Sequence, residues 1–149
     1  MKNPDHLIVQ TDGGARGNPG PAAIGVVISD KQGNILKKYG EYLGEQTNNY
    51  AEYQAVISAL KKIKQLFGKE NAKTAIIDVF ADSELLVKQM NHQYKVENES
   101  VQQLFLQLWN LIIDFQEVHF HAVPREQNKE ADALVNETLD AQQKAAKLF

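Results

Sequence analysis

Four acidic residues of this 149-residue chain, Asp12, Glu52, Asp82 and Asp132, stand where a merely solvated carboxylate is out of place. Asp12 follows the apolar run Leu7-Ile8-Val9 and precedes Gly13-Gly14 and the turn-forming stretch Gly17-Asn18-Pro19-Gly20-Pro21, which reads as the far end of a buried strand. Asp82 ends a second apolar run, Ile76 to Ala81, just before a helical segment. Glu52 lies one turn before Val56, and Asp132 shares helical spacing with Val135 and Leu139, so both fall on apolar helix faces. Burying such groups is costly unless a cation meets them. Ordinary roles compete: Asp82 as an N-cap, Glu52 as a first-turn acid favoured by the helix dipole, Asp132 as a partner of Lys129 or Arg125. Asp12 and Asp82, however, share the carboxyl ends of strands, where sheets of this kind place their ligand sites. Convergence of the four would make an all-oxygen site for Mg²⁺, which keeps water and phosphate ligands. Two such ions about 3.5–4 Å apart support in-line displacement at phosphorus.

The elements that must position these residues follow from periodicity. Strands are expected at about 6–12, 22–30 and 34–43, the last two joined through the hairpin-like Asp30-Lys31-Gln32-Gly33-Asn34. A long helix runs from about 48 to 67, with Val56, Leu60, Ile63 and Phe67 on one face and Gly68 as its stop. A strand at 74–81, a short helix at 83–91, a helix at 100–115, a fifth strand at 118–123 and a final helix from about 127 to 147 complete the order. Hairpin strands followed by strands alternating with helices indicate an α/β fold, a mixed sheet flanked by helices.

Composition fits one compact domain over 1–149. Hydrophobic residues make up 43% and charged residues 23%, and cysteine is absent, which excludes disulfides, thiolate metal sites and a cysteine nucleophile. No stretch nears the ~20 apolar residues of a spanning helix, and the start lacks the apolar core of a secretory signal. A cytoplasmic protein with no membrane association is therefore expected. The net charge of -3 argues against a dedicated polyanion binder. A carboxylate site loaded with divalent cations, however, presents positive charge to a phosphate.

Taken together, Thr11-Asp12-Gly13-Gly14 with Gly17-Asn18-Pro19-Gly20-Pro21, Thr47-Asn48-Asn49-Tyr50-Ala51-Glu52, Ala81-Asp82-Ser83-Glu84 and Asn128-Lys129-Glu130-Ala131-Asp132 strongly resemble type 1 ribonuclease H, in the right order and over nearly the whole chain. The resemblance implies a ribonuclease H-like fold with a five-stranded mixed sheet, three antiparallel strands and then parallel ones. It implies endonucleolytic cleavage of the RNA strand of RNA–DNA hybrids with two metal ions, Mg²⁺ or Mn²⁺ in its place, leaving 5′-phosphate and 3′-hydroxyl ends. Asp12, Glu52, Asp82 and Asp132 become the catalytic, metal-binding set, with Asp12 shared by both ions. Gly13 and Gly14, whose backbone can approach a sugar closely, and Asn18, Asn48 and Asn49 become substrate contacts at the minor groove. For Asn18 the competing role is a turn residue, and for Asn48 or Asn49 a helix cap.

Three departures from the family pattern stand out. The loop Val123-Pro124-Arg125-Glu126-Gln127-Asn128 is short and carries no histidine, leaving Arg125 or Glu126 as candidates for the catalytic-loop role. No basic, Trp-containing protrusion follows the Asp82 helix, so hybrid affinity must come from elsewhere, with Lys61, Lys62, Lys64, Lys88 and Lys95 as candidates. Glu84 places an extra acid beside the phosphate path. The short loop leaves double-stranded RNA open as a further substrate, and a monomer is expected. A hybrid-binding module without catalysis and an integrase-like nuclease are the competing functions. His119 and His121 share a strand face but lack an evident third metal ligand, and Trp109 reads as core rather than as a base-stacking platform.

Overall fold

The computed structural model describes residues 5–148. Strands β1 (His6–Ala15), β2 (Gly20–Asp30) and β3 (Ile35–Gln46) are followed by helices α1 (Asn48–Phe67) and α2 (Lys69–Ala72), strand β4 (Ile76–Ala81) and helices α3 (Glu84–Met90) and α4 (Glu99–Ile112). Strand β5 (Glu117–Ala122), a 3₁₀ turn over Arg125–Gln127 and helix α5 (Lys129–Lys147) complete the described chain. The sheet order is β3-β2-β1-β4-β5, antiparallel across β1, β2 and β3 and parallel across β1, β4 and β5. This is the expected five-stranded mixed sheet.

Strand β2 shows why two helical layers are needed. From Ala22 to Ile28 it is buried almost without interruption, because α1 covers one face and α5 the other. Edge strand β3 is largely exposed and carries Lys37, Lys38, Glu41 and Glu45, charges that discourage edge pairing. The main core joins Leu7 and Val9 of β1, Val26 and Ile28 of β2 and Ile77 and Val79 of β4 to Val56, Leu60 and Ile63 of α1 and Leu104 and Leu108 of α4. A small second cluster, Ala23 with Val135 and Leu139, lies beneath α5.

Two expectations need correction. Strand β1 does not stop at Asp12 but pairs with β2 as far as Ala15↔Ala22, so the turn begins at Arg16. Glycines that look like a turn signal are here held in the ladder by a neighbouring strand. Trp109 is not core: it is 45% exposed and shares the outward side of α4 with Leu106 and Ile113. Helix α4 bears apolar residues on two sides, and only the side with Leu104 and Leu108 meets the core.

Candidate active site

The register of the parallel strands brings the first two carboxylates together. Pairing of β1 with β4 ends at Thr11↔Ala81, so Asp12 and Asp82 lie side by side one residue beyond the last pair. Strand alternation sends both to the α5 side of the sheet. Glu52 enters from the second turn of α1. It is no first-turn acid, since that turn contains none and Thr47 caps the helix by accepting from the Tyr50 N–H. Asp82 is not a cap either, because the Ser83 side chain accepts from the Leu86 N–H and caps α3.

Ligand-competent oxygens of Asp12, Glu52 and Asp82 all lie within 4.8 Å of one another. The Gly13 N–H donates to Asp12 Oδ1 at 3.0 Å and to Glu52 Oε1 at 2.8 Å. Asp132, from the first turn of α5, lines the same cavity of about 490 Å³ but stands outside that close trio. Its carboxylate enters no ion pair with Lys129 or Arg125 and instead accepts from Asn136 Nδ2 at 3.4 Å.

Burial, and then the neighbouring charge of Asp82, raises the Asp12 carboxyl from 3.8 to about 7, with Asp132 adding to the rise. Burial, followed by the charge of Asp12, likewise lifts Glu52 well above its ordinary value. Asp82 Oδ2 is buried without a hydrogen-bond partner, and the nearest cation, Arg125 Nε, stands 3.6 Å away on a side chain that is 80% exposed. Crowded, desolvated oxygens with one acceptor unpaired are the donor set that a hard divalent cation fits.

The asparagines are brought together with defined roles. Asn18 Oδ1 accepts from the Asn48 N–H at 3.0 Å, and Asn48 Oδ1 accepts from the Ala15 N–H at 2.8 Å, locking the β1–β2 turn to the start of α1. Asn48 and Asn49 line the cavity together with Gly13 and Gly14, whereas Asn18 braces from behind. Of the loop candidates, Arg125 reaches the cavity and Glu126 does not. Glu84 is held by Lys88 at 2.6 Å, and Lys64 by Asp114 at 2.5 Å, so these lysines are engaged within the fold.

His119 and His121 take separate partners rather than forming a common centre. His121 Nε2 lies 2.7 Å from Asp78 Oδ1, His6 hydrogen-bonds the other oxygen of Asp78, and His119 faces Glu117. Burial raises the Asp78 carboxyl, but its bonds to His121 and His6 outweigh this and hold it below its ordinary value. Two residues that brace the site escape a reading of the sequence. Arg16 ties the β1–β2 turn to α5 through Asp140 at 2.8 Å, and Asn128 is buried between β1 and α5. Asn128 stands where a helix cap belongs, which hides its other partner.

The family model described as reverse transcriptase-like matches residues 10–138. The solved structure of LC11-RNase H1 in complex with an RNA/DNA hybrid is 43% identical, with a TM-score of 0.87 over 92% of this chain and 99% of that one. The bifunctional protein Rv2228c of Mycobacterium tuberculosis is 35% identical over 94% of this chain. The solved structure of its N-terminal RNase H domain, a fusion with maltose binding protein, superposes with a TM-score of 0.85 and 34% identity, over 95% of this chain and 98% of that one. Ribonuclease HI of Halobacterium salinarum is 37% identical over 87% of this chain. Fold, carboxylate geometry and these similarities together establish that the chain belongs to the type 1 ribonuclease H family. It spans 37% of the length of Rv2228c and 62% of that of the Halobacterium protein. Among the described residues no helix is long and apolar enough to cross a membrane.

Proposed function

We propose that this chain is an endoribonuclease that hydrolyses the RNA strand of RNA–DNA hybrids, leaving 5′-phosphate and 3′-hydroxyl ends. The observation that carries the proposal is the convergence of Asp12, Glu52 and Asp82 within 4.8 Å at the strand ends. The 43% identical LC11-RNase H1, solved with a hybrid, supports the choice of substrate. Asp12, Glu52 and Asp82, joined by Asp132, would hold two Mg²⁺ ions, with Mn²⁺ able to substitute. Ions held there would supply Lewis acidity and positive charge for in-line displacement at phosphorus.

The protein's own groups account for the rest. The Gly13 N–H fixes one oxygen each of Asp12 and Glu52, so the carboxylates are oriented before substrate arrives. Gly14, whose missing Cβ faces Val135 of the cavity lining, leaves that wall open to a ribose, whereas Gly13 lets the main chain of α1 approach β1. Asn48 has its amide oxygen occupied by Ala15, which makes its Nδ2 the group it offers to a minor-groove acceptor. The 2′-hydroxyl distinguishes RNA from DNA at such a contact. Arg125, poised over Asp82, takes the loop role, and Glu126 does not. The chain acts as a monomer in the cytoplasm.

Strand-labelled RNA–DNA, RNA–RNA and DNA–DNA duplexes, incubated with Mg²⁺, Mn²⁺ or EDTA, test this reading. Metal-dependent cutting of the RNA strand of the hybrid, with 5′-phosphate products, is expected. Tight hybrid binding with no cutting under either metal would favour a binding module. Equal cutting of RNA–RNA would extend the substrate range to double-stranded RNA.

A further inference from the structure

Asn128 is fully buried, at 0% exposure, between the end of β1 and the start of α5. It occupies the N-cap position of α5, where an asparagine side chain ordinarily accepts from the first N–H groups of the helix. It makes no such bond. Its Nδ2 instead donates to the Thr11 carbonyl at 2.8 Å, and its Oδ1 is buried without a partner. Thr11 immediately precedes Asp12, and the Asn128 carbonyl accepts from the Asp132 N–H at 3.1 Å. One side chain thus forgoes a cap and leaves an acceptor unpaired while joining the segments that carry Asp12 and Asp132. A buried unpaired acceptor is costly, and helix stability alone gives no reason for it.

We propose that Asn128 is a positioning residue for the metal centre: by tying Thr11 to the start of α5 it fixes Asp132 relative to Asp12 and so sets how tightly the carboxylates hold their divalent ions. The inference rests on the reading of Asp12 and Asp132 as ligands of one centre. Asn128 touches neither substrate nor ion. Groups that orient metal ligands from outside typically alter affinity or activity by about 10–100-fold.

Asn128→Ser separates positioning from helix stability, because serine is a good N-cap yet too short to reach Thr11. The measurement is the Mg²⁺ concentration that half-saturates both the rise in melting temperature and hybrid cleavage. It is made for the wild type, Asn128→Ser, Asn128→Ala, Asp132→Ala and the control Ile63→Val, which lies about three turns along α1 from Glu52. In Asn128→Ser the melting temperature without metal stays near that of the wild type. Its half-saturating Mg²⁺ rises about tenfold, while KM for the hybrid at saturating Mg²⁺ is unchanged. Asn128→Ala shows the same Mg²⁺ shift with a lower melting temperature, and should it fail to fold, the serine variant decides alone. In an Asp132→Ala background, Asn128→Ser adds less than about a twofold shift, as expected if it acts through Asp132.

An unshifted Asn128→Ser beside a shifted Asp132→Ala overturns this inference alone. An unshifted Asp132→Ala overturns the underlying reading of the site as well. A shift in Ile63→Val equal to that in Asn128→Ser also overturns the inference, since general loosening would then suffice.

Discussion

Gly13 is under the tightest steric constraint at the site. A Cβ there would fall 2.3 Å from the main-chain carbon and oxygen of Ala51, next to Glu52. Gly13→Ala must therefore push α1 away from β1 and separate two carboxylates that one N–H now holds. Misplacement of about 1 Å can cost ~100-fold in rate, and single-turnover cleavage of a hybrid by Gly13→Ala is expected to fall at least that far. Asp12 supplies a pH prediction. Its folded-state value of about 7 lies above the unfolded 3.8, so between those values the folded protein binds more protons and stability falls as pH rises. Metal-free Asp12→Asn is expected to melt about 5 °C above the wild type at pH 8, a gain of roughly 2 kcal/mol, and to lose most of that advantage near pH 4. Calorimetry in EDTA at the two pH values reads this directly, and a lower melting temperature in the variant at pH 8 would contradict it. Asp12, Glu52 and Asp82 were legible in the sequence because each breaks an apolar pattern. The roles of Asn18 and Asn48 were not, because which amide atom each uses depends on a partner 30 residues or more away. Trp109 was misread for a related reason, since helical spacing alone does not tell which of two apolar sides meets the core.

Helix α5 owes its seat to two glycines that face each other across β2 and β3. Gly25 pairs with Gly40, and Gly25 also pairs with Asp12 in β1. A Cβ on Gly25 would stand 2.1 Å from the Ala131 carbonyl oxygen, and one on Gly40 would stand 2.1 Å from Thr138 Oγ1. The close approach brings the first turn of α5, and with it Asp132, down onto the level of Asp12. Gly25→Ala is expected to cost about 1–3 kcal/mol by overpacking and to raise the Mg²⁺ requirement by displacing Asp132. Urea unfolding together with a Mg²⁺ titration of cleavage checks both effects, and an unchanged Mg²⁺ requirement would show that Asp132 tolerates movement of its helix. Element types and order were readable from periods of two and of 3.6. The extension of β1 through Ala15 was not, because it is set by pairing with Ala22 rather than by Gly13 and Gly14 themselves. The glycine seat was equally hidden, since Gly25 and Gly40 acquire their meaning only from the β2–β3 register.

The molecule as a whole carries a net charge of -3 and gathers its carboxylates at the cavity offered to a polyanion. Of the five candidate lysines, Lys64 is engaged with Asp114 and Lys88 with Glu84, which leaves Lys61, Lys62 and Lys95 to offset the carboxylates. Hybrid binding is therefore expected to be weak in EDTA and to strengthen with Mg²⁺. At pH 8, where Asp12 is mostly ionised, removing its negative charge in Asp12→Asn should tighten metal-free binding about threefold at low salt. Fluorescence anisotropy with a labelled hybrid measures both, and equal affinities with and without Mg²⁺ would mean that attraction comes from elsewhere on the surface. The missing basic protrusion was plain in the sequence. What replaces it was not, because affinity spread over a folded surface leaves no contiguous motif.

The most direct test of the central claim is an anomalous difference map from crystals grown with Mn²⁺ and a non-cleavable hybrid. The account predicts two peaks among Asp12, Glu52, Asp82 and Asp132, with Asp12 contacting both and the RNA phosphate beside them. Mn²⁺ bound elsewhere, with these carboxylates paired only to protein groups, would contradict it.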